Sequence, residues 1–169
     1  MTATVIVWVT ESTWPACIDA ARAWTPAGAQ VVLLHVADDE AAEVLHGAFL
    51  GLLGRGRSGP DDPEGRLEAV SAAVAAELLD AAAHRLGRPA IRVQRHGHVE
   101  RQVVQAADAA DLLICARDGK RGRLGPKSLA PATRFVVDHA PCPVLLVWPE
   151  PAPGVDTLPP PPPERRPGT

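Results

Sequence analysis

The feature that most constrains this chain is a set of five short apolar runs with room for a helix between most of them. They are Val5-Ile6-Val7-Trp8-Val9, Val31-Val32-Leu33-Leu34-His35-Val36, Ile91-Arg92-Val93, Leu112-Leu113-Ile114-Cys115 and Val144-Leu145-Leu146-Val147-Trp148. Each has strand length and aliphatic or β-branched character. Four are apolar almost throughout instead of alternating, which is what strands covered on both faces require, as in a parallel sheet. The Ile91 run alternates and belongs at a sheet edge.

Helical patterns lie between the runs. Ser12 or Thr13 can cap a helix with Pro15 in its first turn, running through Cys17, Ile18, Ala21 and Trp24 to a stop at Pro26 and Gly28. Asp62-Pro63 opens the longest helix, on which Leu67, Val70, Val74, Leu78, Ala81 and Leu86 recur at three- and four-residue steps until Gly87 and Pro89 end it. A third helix covers Val99 to Ala107. A fourth starts at Pro131, presents Phe135, Val136 and His139, and breaks at Ala140-Pro141-Cys142-Pro143. Strands and helices in this alternation, joined by right-handed crossovers, predict an α/β fold: a doubly wound, five-stranded parallel sheet in the order 3-2-1-4-5 with helices on both faces.

One domain is expected over residues 1–149, since 169 residues, 46% of them apolar, bury one substantial core without calling for a second. Residues 39–65, with Val44, Leu45, Phe49, Leu50, Leu52 and Leu53 ahead of a Gly, Arg, Ser and Pro stretch, read as an insertion of one short helix and a flexible loop. Residues 150–169 carry the Pro159 to Pro163 run and no apolar periodicity, so they read as a proline-rich, disordered tail. The formal charge of −3 argues against nucleic acid as a partner. The Val5 run is far too short to span a bilayer and follows no positively charged start, so neither a membrane helix nor a signal peptide is expected, and the cytoplasm is the expected compartment. Cys17, Cys115 and Cys142 are widely spaced among apolar neighbours, a pattern of buried thiols and not of disulfides or a zinc cage.

A sheet wound this way opens a crevice at its switch point, beyond the carboxyl ends of the strands. Here it is walled by Thr10, Glu11 and Ser12 after the first strand, by Val36, Ala37 and Asp38 after the second, and by the loop from Ala116 to Ser128 after the fourth. That loop is rich in glycine and cations, and can be read as a phosphate cradle or as a solvated connection.

Asp138-His139-Ala140-Pro141-Cys142-Pro143-Val144-Leu145-Leu146-Val147 resembles the closing helix and strand of the universal stress protein family, with its recurrent H-A-P-C-P-V-L-V-V. Leu33-Leu34-His35-Val36 is similar to the family's second strand, and Asp111-Leu112-Leu113-Ile114 to its D-L-I-V fourth strand. Gly97-His98-Val99-Glu100 stands where the family has a G-D-P-x turn. The likeness runs from about Thr4 to Pro149. It implies a stress-response binding and regulatory module, a homodimer paired through the strand Val144 to Trp148, and no turnover chemistry.

The family's ATP-binding branch carries an Asp after the first strand and a loop of the form G-x2-G-x9-G-[S/T]. By that resemblance Thr10, Val36, Ala116, Gly119, Lys120, Ala130, Pro131 and Ala132 match the ATP site. Thr10 replaces the Asp, Ala116 the first Gly, and Ala130-Pro131 the closing pair after one extra loop residue; Gly119 keeps the second Gly. Proline has no N–H to offer a phosphate. Weakened or lost ATP binding is the expectation, with an unknown protein or a small nucleotide as partner. Lys120, Arg121 and Arg123 could restore phosphate contacts, which leaves open an ATP-binding switch with slow hydrolysis. A nucleotidyl- or electron-transfer enzyme of the same fold is the distant alternative.

Three other patterns read as decoys. Gly54-Arg55-Gly56-Arg57-Ser58-Gly59 fits G-x-G-x-x-G but follows no strand. His96, His98 and Glu100 fall in a turn where alternate residues point apart, so no metal site is expected. Ser12 lies in no nucleophile elbow.

Overall fold

The computed structural model describes residues 2–38 and 63–162. The apolar patch of residues 39–53 and the Gly54 to Gly59 stretch lie outside the described residues. The elements are β1 (Thr4–Trp8), α1 (Trp14–Trp24), β2 (Gln30–Ala37), α2 (Pro63–Leu86), β3 (Ile91–His96), α3 (Val99–Ala107), β4 (Leu112–Ala116), a 3-10 turn (Pro126–Ser128), α4 (Pro131–His139), β5 (Val144–Val147) and a second 3-10 turn (Val155–Thr157).

All four strand pairings are parallel and the sheet order is β3-β2-β1-β4-β5. The continuous apolar runs follow from this arrangement, because alternate residues of each strand enter different cores. Val5, Val7, Val31, Leu33 and Ile114 pack against Cys17, Ile18 and Ala21 of α1 and Leu79, Ala82 and Leu86 of α2. Ile6, Trp8, Leu34, Val36, Leu113 and Cys115 pack against Val103 and Ala107 of α3 and Val136 of α4. β3 forms one edge, as its alternation predicts, and extends three residues past the expected Val93, with Gln94 and Arg95 half-buried. β5 is the other edge; all four of its residues are only half-buried.

One expectation is overturned on α2. Leu78 and Leu86 of the expected stripe do pack on the core, but Val70 and Val74 are 60% and 49% exposed and Ala81 is exposed, and Ala75, Leu79 and Ala82 are buried in their place. Both stripes have helical spacing. Ala82 shares its core with Ala20 and Ala21 of α1, where small side chains let the two helices lie close. Arg85 of α2 also pairs bidentately with Asp19 of α1, at 2.9 and 2.7 Å. Gly87, with φ +69, ends α2 in the left-handed conformation that glycine adopts without strain.

Among the described residues no helix is long and apolar enough to cross a membrane. Cys17 and Cys115 are buried and Cys142 is half-buried; none is in a disulfide. Burial pushes the Cys17 and Cys115 thiols up to about 12, so both are held protonated and unreactive.

Candidate functional site

In a parallel sheet the carboxyl ends of β1, β2 and β4 share one edge, and the N-terminus of α4 returns to it. β1 ends in a tight turn: the Thr10 carbonyl accepts the N–H groups of Thr13 and Trp14, and the Thr10 and Thr13 hydroxyls share a 2.7 Å hydrogen bond. Thr13 is therefore the residue before α1, yet its hydroxyl serves Thr10 and does not cap the helix. Ser12 lies exposed beside it. His35 Nδ1 donates to the Val9 carbonyl at 3.0 Å and ties the end of β2 to that of β1.

The long loop after β4 folds back on itself. Gly119 N–H donates to the Ser128 carbonyl at 2.9 Å and Lys120 N–H to the Lys127 carbonyl at 2.8 Å, so the two arms form a short ladder. Gly119 is the only residue that fits there: a Cβ would lie 2.5 Å from the Lys127 carbonyl oxygen and 2.9 Å from the carbonyl carbons of Ser128 and Leu129. Ser128 is fully buried; its hydroxyl donates to the Gly125 carbonyl at 2.7 Å and accepts from Arg117. The Arg117 guanidinium also lies 4.7 Å from the centre of the Trp148 ring, a cation–π contact.

Asp118 occupies the end of α4. One carboxylate oxygen accepts the Ala130 N–H at 2.9 Å, and the other accepts the Thr133 hydroxyl at 2.7 Å. Ala130 is the N-cap and has no side-chain acceptor of its own, and Pro131 follows it in the first turn. Asp118 thus satisfies the N–H of the N-cap residue from twelve residues upstream, as a Glu or Gln in the first turn does in a capping box, and its negative charge complements the positive end of the helix. Thr133 is 1% exposed, so its hydroxyl is captive to this contact.

The eight expected site residues divide by what they do. Val36 and Ala116 are buried in the two cores, and Ala132 packs against the second core. Thr10 is engaged in its turn. The backbone N–H groups of Gly119, Lys120 and Ala130 are bonded within the loop, and Pro131 has none to give. Asp118, Arg117, Ser128 and Thr133, which organise the loop, carry no expected role in the sequence pattern. The available signal is that Asp118 is the one acidic residue in a loop otherwise rich in cations.

The cations lie on the outer side. Lys120, Arg123 and Lys127 are exposed, while Arg121 turns to Glu150 at 3.2 Å. The first part of the tail returns over this loop: Thr157 Oγ1 accepts the Leu124 N–H at 3.1 Å. No cluster of three or more His, Cys, Asp or Glu side chains suited to a metal occurs among the described residues, and His96 and His98 are both exposed.

A family model for the Universal stress protein family matches residues 4–147. No curated protein matches the chain. Several solved structures share the fold. Hypothetical protein MJ0577 superposes with a TM-score of 0.63 at 18% identity, covering 88% of this chain and 96% of that one. Hypothetical protein PH0823 gives 0.60 at 17% identity, covering 88% and 97%. A universal stress protein in complex with cAMP gives 0.57 at 16% identity, covering 88% and 98%.

Proposed function

The chain belongs to the universal stress protein family, and on that footing we propose that it is a cytoplasmic, dimeric binding and regulatory module of the stress response, with weak or absent ATP binding and no catalytic turnover. The observation that carries this reading is the closed state of the loop after β4. A phosphate cradle needs backbone N–H groups free to point at the ligand, and those of Gly119, Lys120 and Ala130 already have acceptors within the protein. Each would have to leave its partner before it could serve a phosphate, and a charge-assisted contact that is never made forfeits about 1.5–3 kcal/mol.

The pairing surface proposed is β5. In the parallel ladder with β4, the Pro143 and Val147 carbonyls accept the N–H groups of Leu113 and Arg117. Alternation along the strand then turns the backbone groups of Val144 and Leu146 to the outside. An apolar edge with open backbone groups invites another strand, and two-fold antiparallel pairing of two copies covers both edges at once. Trp148 adjoins this seam, resting on Arg117.

A second reading is kept alive by the solved relative in complex with cAMP: the crevice takes a nucleotide of low charge, and the module acts as a ligand-dependent switch. Calorimetric titration of the full chain with ATP and with cAMP separates the readings. Saturable ATP binding with a dissociation constant of about 10 μM or below would refute the first; cAMP binding alone would favour the second.

A further inference from the structure

We propose that Asp118 is the specificity determinant of the crevice: a built-in anion that holds the N-terminus of α4 in the place of a phosphate and so turns the site against nucleoside polyphosphates. This rests on the reading above that ATP binds weakly, and it assigns that weakness to one side chain.

Three observations carry it. The first is that both oxygens of the Asp118 carboxylate are engaged by the opening of α4, through the Ala130 N–H and the Thr133 hydroxyl. A phosphate oxygen brought to that helix end needs donors of the same kind in the same place. The second is that Asp118 is held by its neighbours on both sides. Arg117 N–H is bonded to the Val147 carbonyl and Gly119 N–H to the Ser128 carbonyl, so the carboxylate is placed by a closed loop and not by a free side chain. An intramolecular ligand fixed this way competes at a high effective concentration. The third is that Thr133 is almost wholly buried and the Ala130 N–H is inside the loop, so neither donor can turn outward to serve a ligand while Asp118 stays.

A polyphosphate entering this crevice would have to displace the carboxylate and then lie beside it. Repulsion between like charges grows with the charge of the ligand, so the penalty is largest for ATP and vanishes for a neutral nucleoside. Restoring a glycine and a serine at 130 and 131 would return an N–H and a hydroxyl, yet leave the resident anion in place. The site therefore discriminates by charge, and the change at 130 and 131 is not by itself the barrier.

The test uses the full chain and calorimetric titration with ATP and with adenosine, on the wild type, on the pair Ala130→Gly with Pro131→Ser, and on that pair combined with Asp118→Asn. Asparagine keeps an oxygen for the Ala130 N–H and removes the charge. A parallel triple variant with Asp118→Ser provides the same comparison should the first fail to fold, and melting curves report which are folded. The expected result is that the double variant stays close to the wild type, while the triple variant binds ATP at least about tenfold tighter than the double and adenosine no differently. Equal ATP affinity in double and triple variants would overturn the role of Asp118 and leave the reading of weak ATP binding standing. Tight ATP binding by the wild type itself would overturn that reading instead.

Discussion

Replacing Gly119 with alanine tests whether the loop after β4 is the closed ladder described above. The new Cβ would meet the Lys127 carbonyl oxygen at 2.5 Å and the Ser128 and Leu129 carbonyl carbons at 2.9 Å, all of them backbone atoms with no rotamer to move. The two arms must part. That breaks the hydrogen bonds from Gly119 N–H to Ser128 and from Lys120 N–H to Lys127, at 2.9 and 2.8 Å, for about 1 kcal/mol each. Overpacking that the arms do not relieve adds about 1 kcal/mol, and the lower entropy of alanine in the unfolded chain returns about 0.4–1 kcal/mol. A net loss of about 2 kcal/mol lowers the melting temperature of a chain this size by about 4–8 °C. Gly122→Ala is the control, since a Cβ there meets nothing within 4 Å, and its effect should stay within about 0.5 kcal/mol. Thermal melting gives the global number, and amide hydrogen exchange at residues 119 and 120 locates it. A melting temperature unchanged to within about 1 °C, with both amides still protected, would refute the ladder.

Further outcomes are expected elsewhere in the molecule. Burial holds Cys17 and Cys115 at about 12 when folded, against 9.0 for an unperturbed thiol, so the folded chain keeps protons that the unfolded chain releases. The stability from this source is complete below pH 9 and is lost as pH rises from 9 toward 12, by about 1.4 kcal/mol per thiol per pH unit. With no tyrosine and only Lys120 and Lys127 among lysines, urea melts at pH 8 and 10 should show this loss directly. An equally steep loss in Cys115→Ala would count against it. Against a thiol reagent at pH 8, half-buried Cys142 should react first and the other two only on unfolding; rapid labelling of all three would contradict the buried placement. Removing residues 152–169 deletes the Thr157 contact to Leu124, worth about 1 kcal/mol, so the melting temperature should fall by no more than about 4 °C. A larger fall would show the tail docked more deeply. Light scattering should give twice the 17.8 kDa chain mass, and Leu146→Lys should shift it toward one chain with the circular dichroism retained; a monomeric wild type would refute pairing through β5.

The helices on both faces were legible because the strands are apolar on both sides, a pattern that a two-sided core explains. The edge position of β3 followed from the alternation of Ile91, Arg92 and Val93. The buried face of α2 was not legible. Val70 and Val74 outrank Ala75 and Ala82 on any hydrophobicity scale, yet the smaller pair is the buried one, with Ala82 in the same core as Ala20 and Ala21 of α1. At the crevice the family pattern singled out Gly119 for a nucleotide, while the structure gives that glycine a packing reason. What counts there is the approach of the Lys127 carbonyl, a contact between residues eight apart that no local motif records.

The same limit applies with more consequence to Asp118. Read along the chain, the alanine and proline at 130 and 131 are losses, since a donor and a hydroxyl are missing. Read in space, they belong to a helix end that is not short of an acceptor, because Asp118 supplies one from the opposite arm of the loop. A helix N-terminus makes one physical demand, for negative charge and lone pairs, and it does not distinguish a ligand's phosphate from the protein's own carboxylate. With Asp118 accepting the Ala130 N–H, Ala-Pro is tolerated there: proline suits the first turn of a helix, where its missing N–H leaves no bond broken. On the proposal made above, residues 118, 130 and 131 act together, and the carboxylate at the helix end accounts for the alanine and proline that follow it.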